Sequence, residues 1–341
     1  MTMRKIFNAI LGILLLLGGI YLVGPRVATP ELNKPFPMVP KSMDSLQFWV
    51  QQKEAQFPNI RPNNAAQIIF YDSIPQKTPV SVVYLHGFSA SQGEGAPAHL
   101  AIAKALKANL YLPRLWDHGL VEDDPLLDFT AEQYIDSARE AIAVAAALGE
   151  RVVVLGTSTG GTLALALSTH PQIAAMGLFS PNVAVFDKRV GILSKPWGLQ
   201  LARFFSGGNF HTMDKITTAK KAYWTTRYRV EAGPHLQKLL DVTMKKQVFN
   251  TVKQPVFMGY YYKNDSLQDD TVRVEDMLVM FDQLGTPDTL KRKQAFPEAK
   301  SHVITSYLNT DIYSEVAQET TAFLRAQLHL PNQTIDSLSQ P

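Results

Sequence analysis

The sequence predicts an α/β protein whose mostly parallel central sheet is covered by helices. Two patterns carry that expectation. Short runs rich in β-branched residues alternate with longer Ala- and Leu-rich stretches, as expected when parallel strands are joined by crossover helices. One run, Val152-Val153-Val154-Leu155, passes through a Gly-rich turn directly into a helix-forming stretch. With 341 residues, 46% hydrophobic and 18% charged, the chain has the composition of a folded globular protein.

In chain order, strands are expected at Gln67 to Tyr71, Val80 to Leu85, Leu110 to Pro113, Arg151 to Gly156, Ile173 to Ser180, Pro255 to Tyr262 and Leu290 to Phe296. Ala96 to Lys107, Ala131 to Leu148 and Thr159 to Thr169 have few breakers and are long enough to cross between parallel strands. Thr130 with Gln133 gives the middle helix a capping-box start, and Gly149 gives it a stop. No internal repeat is present.

The N-terminus has a different character. After Arg4 and Lys5, the 18 uncharged residues Ile6 to Val23 reach the length of a membrane-spanning helix. A cleaved signal peptide competes with an anchor, but the run is longer than the usual apolar region of a signal and meets Gly24-Pro25-Arg26 without a small-x-small site. A core helix fits poorly, because the segment is apolar on all sides. The charged end predicts a cytoplasmic N-terminus and a domain outside the cytoplasm. Pro25, Pro30, Pro35, Pro37 and Pro40 then predict an extended tether over residues 24–40, with the folded part beginning near Ser42. The expected organisation is an anchor over 1–25, tether and leading helix over 26–65, a domain over 66–330 and a polar tail over 331–341.

The strongest chemical signal is Gly156-Thr157-Ser158-Thr159-Gly160, a G-x-S-x-G turn between a strand and a helix. A nucleophilic serine at such an apex needs a strained backbone, and small neighbours let the chain turn sharply around it. The competing reading, a nucleotide-binding turn, lacks the Gly-x-Gly-x-x-Gly spacing and the P-loop lysine. A serine hydroxyl needs a base, and the base needs an orienting carboxylate, in the chain order Ser, acid, His. His302 lies in the loop after the last expected strand, where that base belongs. His170, His211, His235 and His329 also follow Ser158 but fall at helix ends or in an insertion. For the acid, Asp269, Asp265 and Asp270 compete; Asp269 leads because Asp-x-x-Val precedes a helix start at Val274 to Asp276. Oxyanion donors are expected at the amides of Thr159 and of Phe88, in His86-Gly87-Phe88-Ser89. His86 itself reads as structural, and Trp116-Asp117-His118-Gly119 as part of a pocket rim.

These motifs, spread over residues 66 to 330, resemble the α/β-hydrolase superfamily, in its serine carboxylesterase, lipase and serine-aminopeptidase-like branch. The resemblance implies an eight-stranded, mostly parallel sheet, no cofactor or metal, and hydrolysis of an acyl bond through an acyl-serine. It also makes residues 188–253, with Trp197, Phe204, Phe205, Phe210, Tyr223, Trp224 and Tyr228, resemble a helical cap.

Charge is divided unevenly across this plan. The overall +3 conceals 13 basic and three acidic residues in 188–253, a net +10 set on a remainder of −7. Such a cap could attract an anionic substrate or settle on anionic headgroups; equally, its lysines could keep a hydrophobic lid soluble. No motif supports nucleic-acid binding, and the absence of cysteine excludes disulfides, thiolate metal sites and a cysteine nucleophile. The expected activity is hydrolysis of a small or medium acyl ester. An aminopeptidase-like enzyme and a non-catalytic binding protein on the same fold are the alternatives. A peptidase would need cap carboxylates to hold a substrate ammonium, which the basic cap disfavours.

Overall fold

The computed structural model describes residues 3–214 and 216–330, so the tail expected over 331–341 lies outside the described residues. Its first helix, α1 (Met3–Leu22), buries no residue. α2 (Met43–Glu54) starts at Ser42, whose side chain accepts the Ser45 N–H. The strands β1 (Gln67–Ile69), β2 (Thr78–Leu85), β3 (Asn109–Leu112), β4 (Gly149–Thr157) and β5 (Ile173–Phe179) follow. With α3 (Ala98–Ala105), α4 (Ala131–Leu148) and α5 (Thr159–Ala166) between them, they make the α/β alternation that the sequence predicts.

Between β5 and the next sheet strand lie a 3₁₀ turn (Lys188–Ile192), α6 (Gly198–Phe205), the antiparallel pair β6 (Phe210–Thr212) and β7 (Arg227–Arg229), α7 (Thr218–Lys221), α8 (Ala232–Thr243) and α9 (Lys246–Phe249). α8 is no loose lid, because Ala232 and Leu239 are fully buried in the core shared with α4 and α5. The chain then returns through β8 (Val256–Tyr260), the small hairpin β9 (Tyr262–Asn264) and β10 (Leu267–Gln268), α10 (Val274–Asp282), β11 (Lys291–Ala295) and α11 (Tyr313–Gln327).

The main sheet runs in the order β1-β3-β2-β4-β5-β8-β11, with β1 antiparallel to β3 and every other pairing parallel. It has seven strands among the described residues, one fewer than the resemblance implies. The crossover stretches are also shorter than expected, α3 ending at Ala105 and α5 at Ala166. Side chains alternate across the sheet with period two. Val83, Val152, Val154, Met176 and Met258 enter one core with α4, whereas Val82, Tyr84, Val153, Leu155 and Phe257 enter the other with α3 and α11. Burial on both faces explains why these strands read as continuous apolar runs, each large aliphatic side chain contributing about 1.5–3 kcal/mol. Because β3 lies on one side of β2 and β4 on the other, a crevice opens at the carboxyl ends of β2 and β4.

Residues 24–40 correct one expectation. They are irregular, as the prolines require, yet they do not hang free. Leu32, Phe36 and Val39 pack on the core, the Phe36 ring meets His170 edge-on at 4.4 Å, and Lys34 bridges to Asp136 at 2.7 Å. Arg139 of α4 donates to Leu32 O at 3.0 Å. The segment is a strap along α4, and it continues to α1, whose Ile20 carbonyl accepts the Trp197 indole N–H at 3.1 Å.

Candidate active site

Ser158 sits where β4 turns into α5, with φ 54° and ψ −121°. A non-glycine residue held there stores of order 1–3 kcal/mol of strain, so its surroundings must fix it. Its N–H donates to Phe179 O, and its carbonyl accepts the N–H groups of Gly161 and Asn182, all at 2.9 Å. The turn closes because Gly160 has no side chain: a Cβ there would stand 1.9 Å from Leu85 O.

His302 and Asp269 arrive from two loops that follow neighbouring strands. Asp269, fully buried after β10, accepts the Thr271 and Val272 amides on Oδ1 at 2.9 and 3.1 Å. Those two bonds explain the Asp-x-x-Val pattern as a local turn built on the carboxylate. Its Oδ2 lies 2.6 Å from His302 Nδ1. Burial works against the Asp269 charge, but His302 and the two amides prevail and hold its pKa below the ordinary value. Burial likewise opposes a charged His302; Asp269 first, then Glu94 and Asp270, outweigh it and raise the pKa above the usual histidine value. The Nε2 of His302 is buried with no hydrogen-bond partner, and it shares a cavity of about 1030 Å³ with Ser158. Of the competing acids, Asp265 is exposed and accepts the Tyr262 hydroxyl at 2.8 Å, while Asp270 reaches the cavity wall.

Phe88 and Thr159 border the same cavity, and neither backbone N–H has an intramolecular partner among the described residues. The loop carrying Phe88 is held by two neutral histidines. His86 donates from Nδ1 to Gly87 O at 3.0 Å and accepts the Leu115 N–H on Nε2 at 3.2 Å. His118 does the same between Trp116 O at 2.7 Å and the Ser89 N–H at 2.9 Å. Burial pushes the His86 pKa down to about 4 and that of His118 well below the ordinary value, which keeps both rings in these roles. The Trp116 to Gly119 segment therefore props the loop from behind and does not border the cavity, contrary to its expected place on the rim.

The opposite wall comes from residues 188–253, including Phe205, Phe210, Trp224 and Tyr228. His211 is also there, against Tyr228 with ring centres 5.1 Å apart, whereas His170 and His235 pack elsewhere and His329 follows α11. Several cavity residues, Asn182 and Glu94 among them, escaped the sequence reading. Glu94 is only 2% exposed and accepts the Gly87 N–H at 2.6 Å. A charged residue between two glycines, just behind His86-Gly87-Phe88, was the available signal.

Comparison with known proteins agrees with the fold. The sequence profile of the alpha/beta hydrolase family matches residues 82–308. A search of curated proteins finds no match. Among solved structures, the chain is similar to one reported for LipS and LipT, two metagenome-derived lipolytic enzymes, at 16% identity and a TM-score of 0.61, covering 78% of this chain and 99% of that one. It is also similar to the Paleococcus ferrophilus monoacylglycerol lipase, at 13% identity and TM-score 0.56, with 77% and 98% covered. Est1E from Butyrivibrio proteoclasticus, solved with ferulic acid, gives 16% identity and TM-score 0.51, with 77% and 95% covered.

Proposed function

Since the chain belongs to the α/β-hydrolase family, we propose that it is a serine hydrolase cleaving a small or medium carboxylic ester through an acyl-serine intermediate. The carrying observation is the pair His302 and Asp269, 2.6 Å apart, with the outer nitrogen of His302 buried, unpartnered and sharing a cavity with the strained Ser158. In this reading His302 takes the Ser158 proton as the hydroxyl attacks the acyl carbonyl, and Asp269 fixes the ring and stabilises its charge. The Phe88 and Thr159 amides receive the oxyanion. His302 then protonates the leaving alcohol and activates the water that releases the acid. These steps need neither metal nor cofactor.

An ester is favoured over an N-terminal peptide because the 188–253 segment is strongly basic and two of its three acids are already engaged. Glu231 is paired with Arg229 and Arg203, and Asp241 with Lys195 and Ser194, leaving neither free for a substrate ammonium. A fluorophosphonate probe is expected to label the protein stoichiometrically and Ser158→Ala not at all, with p-nitrophenyl esters turned over faster than aminoacyl anilides. A folded, unlabelled wild-type protein sinks the proposal.

The same reading takes α1 as an uncleaved anchor holding the domain to a membrane, on its outer side. Its support is a 20-residue apolar helix with no residue buried in the domain. Removing residues 1–22 is expected to release the protein from membranes washed in alkaline carbonate. Equal release of the full-length chain overturns the anchor.

A further inference from the structure

We propose that Glu94 is a positioning residue that clamps the oxyanion-binding loop to the strand carrying the nucleophile, and that its charge acts on His302. The inference rests on the serine-hydrolase reading and adds a residue to it. Glu94 lies in the 3₁₀ turn Gln92–Gly95, and three parts of the site converge on it. Its Oε2 accepts the Gly87 N–H at 2.6 Å, one residue before the Phe88 amide. The same oxygen lies 3.0 Å from the Tyr84 hydroxyl, which is 2.9 Å from Thr157 Oγ1, one residue before Ser158. An ionised carboxylate has no proton to give, so Tyr84 donates to Glu94 and accepts from Thr157. The Glu94 carbonyl accepts the Thr305 hydroxyl at 2.9 Å, and Gly93 O accepts that of Ser306 at 3.0 Å, which joins the turn to the loop of His302.

Distance confines the carboxylate further. A Cβ on Gly87 would lie 2.8 Å from Glu94 Oε1 and 3.0 Å from Ser158 Cβ, so only a glycine here lets the carboxylate and the nucleophile come this close to the loop. Tyr84 from β2 bonds to Glu94, while His302, held by Asp269, and Asp270 border the same cavity, and Tyr134 of α4 feels its charge; His99 of α3 packs on Tyr84 with ring centres 4.8 Å apart. No Lys or Arg pairs with it among the described residues. Burial accordingly raises its pKa to about 7, with the Gly87 amide, His302 and Tyr84 opposing. A glutamine could fill this space with similar hydrogen bonds. Only an ionisable side chain also places negative charge in the cavity that holds the ring proposed to become an imidazolium.

Glu94→Gln and Tyr84→Phe in the full-length protein separate the two effects, assayed with a p-nitrophenyl ester. Glu94→Gln is expected to lower kcat roughly 10-fold with KM nearly unchanged, because the amide keeps the bonds to Gly87 and Tyr84 but not the negative charge that favours the imidazolium. Loss of the negative charge lowers the His302 pKa, so the acid limb of kcat/KM moves to lower pH. Tyr84→Phe keeps the charge but cuts the tie to Thr157, which predicts a smaller loss of kcat and an unmoved acid limb. A folded Glu94→Gln variant with wild-type kcat, or with an unmoved acid limb, overturns the inference. Should that variant not fold, a wild-type kcat in Tyr84→Phe overturns it. Failure of fluorophosphonate to label the wild-type protein removes the underlying reading and this inference with it, whereas labelling combined with an unaffected Glu94→Gln enzyme removes the inference alone.

Discussion

The two walls of the cavity are built differently. On the sheet side the polar groups are buried and held: Asp269 by two amides and His302, Glu94 by Gly87 and Tyr84, and the Phe88 loop by His86 and His118. On the side formed by residues 188–253 Trp224 is buried, but Phe205 is 60% exposed, Phe204 beside it 79%, and the Arg189–Asp187 ion pair lies at the surface. Buried, fully bonded groups cannot reorient without losing partners, whereas exposed pairs contribute about 0–1 kcal/mol and can be exchanged cheaply. On the proposed reading, the difference puts rate on the sheet side and admission of substrate on the other.

The largest effect that tests this division is at Asp269. Asp269→Asn leaves the shape but allows the wrong ring tautomer of His302, and is expected to lower kcat by about 10⁴-fold with little change in KM. On the proposed reading His302 acts as the base in its neutral form, and its pKa is raised. Activity should therefore fall as pH drops through a midpoint above the ordinary histidine value of 6.5. In the variant the charge that raises that midpoint is gone, so residual activity should persist to lower pH. Measured pH profiles of kcat/KM check both statements; a variant whose acid limb coincides with that of the wild type breaks the link between the two side chains.

How much of this was legible follows from what kind of interaction fixed each part. The strands were readable because burial on both faces leaves uninterrupted apolar runs, and Ser158 because the sharp turn imposes glycines that a sequence displays directly. Asp269 stood out from Asp265 and Asp270 only through the two-amide turn behind its Asp-x-x-Val pattern, a local constraint that sequence order records. Glu94 was missed because its meaning depends on Tyr84, Thr157 and Thr305, which approach it only in three dimensions. The strap was misread for the same reason. Proline explains why residues 24–40 are irregular, but not that Leu32, Phe36 and Val39 find the flank of α4.

That strap gives the next smaller effect, on stability alone. A chain beginning at Val23 keeps it and should unfold at the same temperature as the full-length protein. One beginning at Ser42 loses the partial burial of Leu32, Phe36 and Val39 and strips Arg139, 2% exposed, of its Leu32 carbonyl. The expected cost is about 4 kcal/mol, from roughly 1 kcal/mol for each of the three partly buried apolar side chains and for the lost hydrogen bond. Denaturant melts of the two truncations compare them directly. Equal stability would mean that the strap lies on the domain without holding it.

The smallest effect belongs to the exposed wall. Phe204 projects into solvent and is not among the residues bordering the cavity, so Phe204→Ser removes no packing from the core. Stability should stay within about 0.5 kcal/mol of wild type and turnover of a short soluble ester within about twofold. A long-chain ester presented in vesicles is different, because there the aromatic edge can meet the apolar surface carrying the substrate. For that substrate KM should rise several-fold while kcat holds. Equal KM on vesicles would show that Phe204 plays no part in admission. A loss of kcat on the soluble ester would erase the distinction between the two walls, because an exposed ring remote from the reacting atoms would then control the chemical step.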